Sequence, residues 1–147
     1  MVAFNKFNIL PEALANKELD LFGSPPGDTL KVVLCAAANA PVATNSSLAN
    51  LTQIANGNGY TTDGTAVGNP TGTRATGTFT LAGDQVVFTG GAAAMATFRY
   101  YALYDDTSAN NVLIGWWDHG SDVTLNPGDT FTIKFNNANP GTIFTLS

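Results

Sequence analysis

The residues best suited to chemistry are acidic side chains that lie close in sequence to the chain's only histidine. Asp118 and His119 are adjacent, and Asp105, Asp106 and Asp122 lie near them. Two carboxylates about 5–10 Å apart across a cleft could hydrolyse a glycosidic bond. Asp105 or Asp106 with Asp118 or Asp122 is the only plausible pairing for that chemistry. Aspartates in turns also accept hydrogen bonds from backbone N–H groups. Because no catalytic motif accompanies the cluster, we expect the turn role.

Metal, thiol and phosphate chemistry find less support in the sequence. One histidine cannot build a histidine-rich metal site, and the chain has no EF-hand loop or HExxH pair. Cys35 is the only cysteine and lies in an apolar run, which predicts a small buried side chain rather than a reactive thiol. The segment 57–60, Gly-Asn-Gly-Tyr, lacks the lysine of a phosphate loop and predicts a turn that presents Tyr60. We therefore predict no catalytic residue, no metal and no cofactor.

Two pairs of adjacent aromatic residues are the strongest candidates for binding. Trp116 and Trp117 are neighbours, and Tyr100 and Tyr101 repeat the arrangement. Neighbours in a strand point to opposite faces of a sheet, so one member of each pair should enter the core and the other should face outward. Outward tryptophan and tyrosine side chains are typical interface anchors. Packing beneath a loop and a platform for sugar binding remain open as alternatives.

The elements that position these residues are predicted to be strands. Runs of aromatic and β-branched residues, separated by Asp, Asn, Ser, Gly and Pro, are typical of strands and turns. The turn at 82–84 predicts a hairpin of residues 77–81 and 85–89. With about seven or eight strands, the pattern indicates a β-sandwich or jelly roll. The remaining predicted strands are 29–37, 98–104, 112–117, 130–135 and 142–146.

The first residues and one long internal region differ from the strands. A partial apolar stripe, with Pro11 near its start and Gly23 at its end, predicts a short amphipathic helix over about 11–22. Ser24–Gly27 is a break, so we divide the chain into an N-terminal arm and helix, 1–27, and a β-sandwich domain, 28–147. Residues 39–76 predict a long loop region with little regular structure, in which Ser46 or Ser47 could cap one or two helical turns.

Composition excludes several classes of partner. The chain has 147 residues, only 12% of them charged, a net charge of −5 and six Lys and Arg. Such a chain has no basic patch for nucleic acid or for an anionic membrane. No apolar run is long enough to span a membrane, and the N-terminus has no secretion-signal layout, which predicts synthesis in a cytoplasm. A neutral polar surface is typical of β-proteins in assemblies, since soluble monomers usually carry more charge.

Several motifs resemble a group of small virion proteins of tailed bacteriophages, described as head decoration, cement or minor structural proteins. The similar segments occur in the same order over most of the chain. They are FNKFN at the start, APVATNSSLANLTQIANGNGY, FRYYALYDDT and LIGWWDHGSDVTLNPGDTFTIKF. The most specific blocks are ANLTQIA with GNGY, and LIGWWD with the following L-PGDTFT; all are structural rather than catalytic.

The resemblance implies an all-β, jelly-roll-like antiparallel sandwich on the exterior of a bacteriophage capsid, made in the host bacterial cytoplasm. It implies the major capsid protein as partner and a homo-oligomer clustered as trimers at symmetry positions, with no nucleic acid and no membrane. The alternative is a carbohydrate- or receptor-binding module of a tail or fibre. We expect contacts through a free N-terminal arm, the loop around Tyr60 and one outward aromatic. The candidate interface residues are Phe4, Phe7, Ile9, Leu10, Tyr60, Tyr100, Tyr101, Trp116 and Trp117.

Overall fold

In the part of the chain that the structure describes, the protein is built mostly of antiparallel β-sheets with one short α-helix, as predicted from the sequence. A computed structural model describes residues 2–21 and 27–147, and no sheet closes on itself within them. This arrangement is consistent with an all-β sandwich. In chain order the elements are β1 (Asn5–Lys6), α1 (Leu10–Ala15), β2 (Leu30–Ala36), β3 (Thr65–Ala66), β4 (Thr71–Ala75), β5 (Thr78–Gly83), β6 (Val86–Thr89), β7 (Phe98–Asp105), β8 (Leu113–Val123), β9 (Thr130–Ile133) and β10 (Gly141–Leu146).

A five-stranded sheet carries the aromatic pairs. Its strand order is β1-β8-β7-β2-β3, and all of its pairings are antiparallel. The two longest strands, β7 and β8, pair along most of their length, which sets Trp117 opposite Tyr101. Both strands are rich in the aromatic and branched residues that fit a pleated, half-buried surface. The sequence therefore identified these two strands, although β8 extends six residues beyond its predicted end at 117.

The predicted hairpin of 77–81 and 85–89 is wrong, because its two strands belong to different sheets. β5 pairs with β4 and β10, whereas β6 pairs with β9. The Asp84 N–H donates to the Gly68 carbonyl at 2.8 Å, so the chain turns beside residue 68 instead of folding back on itself. The true hairpin joins β4 to β5 through Thr76 and Gly77, which both have positive φ, as a type I′ turn requires.

The two-stranded sheet β6-β9 begins at a β-bulge. The Gly90 N–H donates to the Asp129 carbonyl, and the Gly128 N–H donates to the Gly90 carbonyl, so two residues of one strand oppose one of the other. These bonds make residues 90 and 129 a hydrogen-bonded pair. Hydrogen-bonded and non-hydrogen-bonded pairs alternate in an antiparallel ladder. Because Thr132 lies opposite Val87, it falls in a non-hydrogen-bonded pair and directs its backbone N–H and C=O away from β6.

The N-terminal helix is shorter than predicted. It ends at Ala15 rather than near residue 22, because Lys17 adopts a left-handed conformation with φ 60°. The Glu18 N–H then donates to the Ala13 carbonyl and the Lys17 N–H to the Leu14 carbonyl, the two bonds of a Schellman C-terminus. The predicted helix residue Phe22, the stop at Gly23 and most of the break at 24–27 lie outside the described residues.

The long region 39–76 has little regular structure, as predicted, except at its end, where the strand β4 was not predicted and forms the hairpin with β5. It contains a single turn of 3₁₀-helix over Leu48–Asn50, the two-residue β3 and the strand β4. Ser47 is the N-cap of the 3₁₀ turn. The Asn50 side-chain Oδ1 accepts hydrogen bonds from the backbone N–H groups of Ser46 and Ser47, which fixes the turn locally.

Apolar residues fill both faces of the five-stranded sheet. Alternate residues of β2 point to opposite faces of this sheet, so Val32 and Leu34 belong to a larger apolar cluster and Val33 and Cys35 to a smaller one. The larger cluster lies between the sheets and includes buried N-terminal residues. These are Leu10, Ala13, Leu19 and Leu21. The smaller cluster covers the other face and consists of Phe7, Val33, Cys35, Leu48, Ala102, Tyr104 and Leu113.

The expectation of a free N-terminal arm is wrong for the segment from β1 through α1. β1 pairs with β8, and the Phe7 N–H donates to the Ile114 carbonyl. Phe7 and Leu10 are fully buried. Burying a phenylalanine or leucine side chain stabilises a fold by about 1.5–3 kcal/mol, so this segment is a structural part of the domain.

Candidate functional site

Tyr101 and Trp117 are the inward members of the aromatic pairs. Their rings stack with centroids 5.3 Å apart and planes 18° apart. Both residues are buried in the larger cluster, and burial raises the pKa of Tyr101 to about 12. Of the four candidates for an outward aromatic, these two are therefore excluded by their packing in this fold.

Tyr100 and Trp116 occupy the opposite face and remain half-exposed. The Trp116 ring packs on Phe7 with centroids 4.5 Å apart, and the Arg99 guanidinium lies 5.5 Å from the centre of the Tyr100 ring. Ile9 and Leu51 pack against the same small cluster and are also partly exposed. We call these four residues, Ile9, Leu51, Tyr100 and Trp116, the outer-face patch.

An exposed valine lies in a loop that is hydrogen-bonded to the chain next to the outer-face patch. The Asn8 N–H donates to the Ala43 carbonyl at 2.9 Å, which ties the loop of Val42 to the chain beside Ile9. Val42 is 51% exposed, and only Val87 among the other large hydrophobic residues described is similarly exposed, at 42%. The patch and its neighbour therefore combine half-exposed aromatic rings with exposed aliphatic surface, a composition found at interface centres.

Three further candidate interface residues are buried. Phe7 and Leu10 are core residues, as shown above, and Tyr60 is only 2% exposed. The Tyr60 hydroxyl donates to the Gln53 side-chain oxygen at 2.6 Å, and its ring lies 6.1 Å from that of Phe88. The expected turn at 57–60 is present, but it directs Tyr60 into the core rather than outward.

The local geometry explains why Tyr60 turns inward. Asn58 and Gly59 have φ of 52° and 97°, and backbone bonds join Gly57 and Tyr60 in both directions, which defines a tight two-residue turn. A Cβ on Gly59 would lie 1.8 Å from the Thr89 carbonyl oxygen. The turn is thus packed against the end of β6, and its tyrosine follows into the apolar interior.

Phe4 lies apart from the outer-face patch. Its ring contacts Trp117 edge-on at 5.3 Å and stacks on Phe144 at 5.4 Å, both centroid distances. It is partly buried. The structure therefore divides the nine candidate interface residues into the half-exposed Ile9, Tyr100 and Trp116, the partly buried Phe4, and five buried residues.

Asp105 is a buried turn residue. Its Oδ1 accepts hydrogen bonds from the Thr107 and Ser108 N–H groups at 2.8 and 3.2 Å, which confirms the turn role expected of it. Its Oδ2 is buried without a hydrogen-bond partner among the described residues. Burial raises the pKa of Asp105 well above its usual range, and the neighbouring Asp28 carboxyl raises it further.

Asp106 and Asp118 are held by cations. Asp106 lies 2.8 Å from the Lys31 ammonium, whose hydrogen bond lowers the pKa of the carboxyl. Asp118 accepts bonds from two nitrogens of Arg99 at 2.8 and 3.1 Å, and this pairing lowers its pKa. Asp118 also accepts a bond from the Gly120 N–H at 2.7 Å, which again fits a turn role.

The strand register separates the aspartates that could have formed a catalytic pair. Asp118 on β8 lies opposite Tyr100 on β7, and Asp105 lies five positions beyond Tyr100 on β7. A rise of ~3.3 Å per residue places these carboxylates roughly 17 Å apart, beyond the spacing of paired hydrolase carboxylates. Asp122 adjoins Val123, which pairs with Phe98 at the far end of β7, so it is farther still from Asp105.

His119 packs edge-on against Phe131, with ring centroids 5.3 Å apart. Across residues 2–21 and 27–147, no three His, Cys, Asp or Glu side chains converge as a metal site would require. Cys35 is fully buried, and burial raises the pKa of its thiol to about 12, in keeping with the structural role expected for it.

A groove that the sequence analysis did not find opens between β9 and β10. Its volume is about 570 Å³, within the range of ligand and peptide sites. Phe4, Tyr101, Trp117 and Phe144 contribute aromatic surface to it, and Lys134 lies at its wall. Residues on two strands that do not pair with each other form this groove. Sequence pattern gives no signal for it, because the pattern does not say which strand edges are left open.

Comparison of the chain with protein-family models, curated proteins and solved structures found no match. In the described part of the chain, no helix has the length and apolar character needed to cross a membrane.

Proposed function

We propose that the protein is a non-enzymatic virion structural protein of a tailed bacteriophage, which binds the outside of the capsid and stabilises its lattice. The motif resemblance described above suggests this class. The observation that carries the proposal is the outer-face patch, where Trp116 and Tyr100 are half-exposed, together with exposed Val42 in the loop that is hydrogen-bonded next to Ile9. A surface of this composition suits protein contact better than reaction chemistry.

A jelly-roll-like strand arrangement is the finer description of the fold that accompanies this proposal. The antiparallel sheets, the long β7–β8 pair and the crossing of the chain between sheets after β5 are compatible with it. The partner is the major capsid protein, and the copies are grouped as homotrimers at symmetry positions of the shell.

The mechanism is non-covalent bridging of neighbouring capsid subunits. Each copy buries the outer-face patch and surrounding neutral polar loops against the lattice. A stable interface buries about 1,600 Å² in total, and repeated contacts around a closed shell increase the effective affinity through avidity. Expansion of the shell under internal pressure must then break these additional contacts.

The test is co-sedimentation of purified protein with assembled capsids from the same source. We expect Trp116→Ala to weaken binding by about thirtyfold, since central aromatic anchors of interfaces contribute ~2 kcal/mol or more. Trp116 also packs on Phe7, so the free energy of unfolding of the variant is measured alongside binding.

The two exposed valines provide a matched control that does not disturb packing. We expect Val42→Ser, beside the patch, to weaken capsid binding, and Val87→Ser, on β6 in another sheet, to leave it unchanged. Equal effects of the two substitutions, or no co-sedimentation of the unaltered protein, would contradict the proposal.

A carbohydrate- or receptor-binding role in a tail or fibre is the second candidate, because half-exposed Trp116 and Tyr100 share one face. Their rings could stack on sugars. Binding of bacterial surface glycans that is lost in Trp116→Ala, without any capsid binding, would favour this role over the first.

A further inference from the structure

Consecutive residues, rather than alternate ones, line the groove between β9 and β10. One wall is the run 131–137, in which residues 131–133 belong to β9 and Phe135–Asn137 form a turn of 3₁₀-helix, and the other is the run 142–145 of β10. Alternate side chains of a strand point to opposite faces of its sheet, so a groove over a face would be lined by every second residue. The unbroken runs 131–133 of β9 and 142–145 of β10 indicate that the edges of the two strands face the groove.

Neither of these edges pairs with another strand in the described part of the chain, and the turn Phe135–Asn137 packs against the start of β10, at Gly141. β9 pairs with β6 alone, and β10 pairs with β5 alone. Residues 90 and 129 at the bulge form a hydrogen-bonded pair, so Thr132 falls in a non-hydrogen-bonded pair. Its N–H and C=O therefore point away from β6 and toward the open edge. Free strand edges with unpaired backbone groups are the surfaces to which an extended peptide can add as a further strand.

The side chains of the groove define what such a peptide would contain. The floor is aromatic, with the Phe4 ring in contact with both Trp117 and Phe144. Of the described residues that line the groove, His119 and Lys134 are the only basic side chains, and none is an aspartate or glutamate. The chain as a whole has a net charge of −5, so the basic lining of the groove is opposite in sign to the charge of the molecule.

We propose that the groove binds an extended segment of a partner protein that adds as a strand to the free edge of β9. The segment is apolar at the positions that face the aromatic floor and carries a carboxylate that pairs with Lys134. This proposal goes beyond capsid binding and does not depend on it, because it concerns a different surface from the outer-face patch.

The test uses two short synthetic peptides of alternating valine and threonine that differ at one central residue, glutamate or lysine. Trp116→Phe leaves Trp117, which lines the groove, as the sole tryptophan and the fluorescent reporter. We expect both peptides to cause saturable changes in Trp117 emission. The glutamate peptide should bind about fivefold more tightly than the lysine peptide, because an exposed ion pair contributes up to ~1 kcal/mol. Added salt should reduce this preference.

Substitutions at two groove residues test the backbone hydrogen bond and the charge pairing separately. Thr132→Pro removes the outward N–H while leaving the β6 ladder intact, and should weaken binding about tenfold, whereas Thr132→Val keeps the N–H and should bind nearly as the parent does. Lys134→Glu, at an exposed position, should reverse the preference between the peptides.

The following results would each overturn the inference. No saturable emission change with either peptide excludes strand addition. Equal weakening by Thr132→Pro and Thr132→Val assigns binding to the side chain, and an unaltered preference in Lys134→Glu excludes the charge pairing. A mass increase on concentrating the protein that Thr132→Pro abolishes, without peptide binding, would make a second copy of the chain the occupant instead.

Discussion

Gly57 and Gly59 share a left-handed backbone conformation but differ in what surrounds them. A Cβ on Gly57 would meet no atom within 4 Å, whereas one on Gly59 would lie 1.8 Å from the Thr89 carbonyl oxygen. We expect Gly57→Ala to cost about 1 kcal/mol of unfolding free energy, from backbone strain alone, and Gly59→Ala about 3 kcal/mol or more. Urea denaturation of both variants measures the difference. Equal losses would show that the close approach of the turn to β6 is not rigid.

Asp105 should make stability depend on pH in the neutral range. Its folded pKa is raised to about 7, above the value near 4 of an unfolded aspartate. Because the unfolded state releases this proton at a lower pH than the folded state does, the contribution of Asp105 to the free energy of unfolding is greatest below pH 4. That contribution is lost as the pH rises to about 7.

Asp105→Asn should remove this decline. The amide keeps an oxygen for the Thr107 and Ser108 N–H groups and does not ionise. We expect the variant to exceed the parent in unfolding free energy at pH 8 by at least about 1 kcal/mol, since one pKa unit corresponds to ~1.4 kcal/mol, and to match it near pH 4. Asp118→Asn is the control, because its pKa is lowered and its contribution is lost only in acid. A parallel pH profile for the parent and Asp105→Asn would contradict the assignment.

At the scale of elements, β1 and the residue after it hold the N-terminal segment to the sheet. Phe7 is fully buried against Trp116, and neighbouring Lys6 is exposed. We expect Phe7→Ala to lower the unfolding free energy by about 3–5 kcal/mol and Lys6→Ala by no more than about 0.5 kcal/mol. Thermal or urea unfolding measures both. Nearly equal, small losses would mean that the segment is an independent arm after all.

This packing also changes how truncations should be interpreted. Deleting residues 1–10 removes Phe7 and Leu10 from the two clusters. A loss of capsid binding after that deletion would therefore reflect unfolding as well as lost contacts, and the point substitutions in the outer-face patch are the cleaner test.

The sequence predicts the strands well and their partners poorly. β2, β7 and β10 match the predicted runs because aromatic and β-branched residues mark each strand locally. The hairpin of 77–89 failed because the turn residues at 82–84 do not reveal that the Asp84 N–H bonds to Gly68, which is distant in sequence. The alternation of Trp116 and Trp117 was predictable from strand periodicity, but which of them faces the core depends on the sheet that covers β8.

At the scale of the whole molecule, one sheet carries two apolar clusters, and Cys35 lies in the smaller one. The thiol is fully buried, with its pKa raised to about 12. We expect a thiol reagent at pH 8 to modify native protein only as fast as the molecule unfolds, and to modify urea-unfolded protein at the rate of a free thiol. Mass spectrometry follows the labelling. Rapid modification without denaturant would show that the smaller cluster opens on its own.

The turn between β4 and β5 has a consequence for engineering. Thr76 and Gly77 project from an exposed strand end, and a side chain added at Gly77 would meet no atom within 4 Å. The turn takes no part in either apolar cluster, the outer-face patch or the groove. A foreign epitope spliced between these two residues would thus extend outward from a folded domain. On a particle coated with this protein, the epitope would be displayed once for every copy bound.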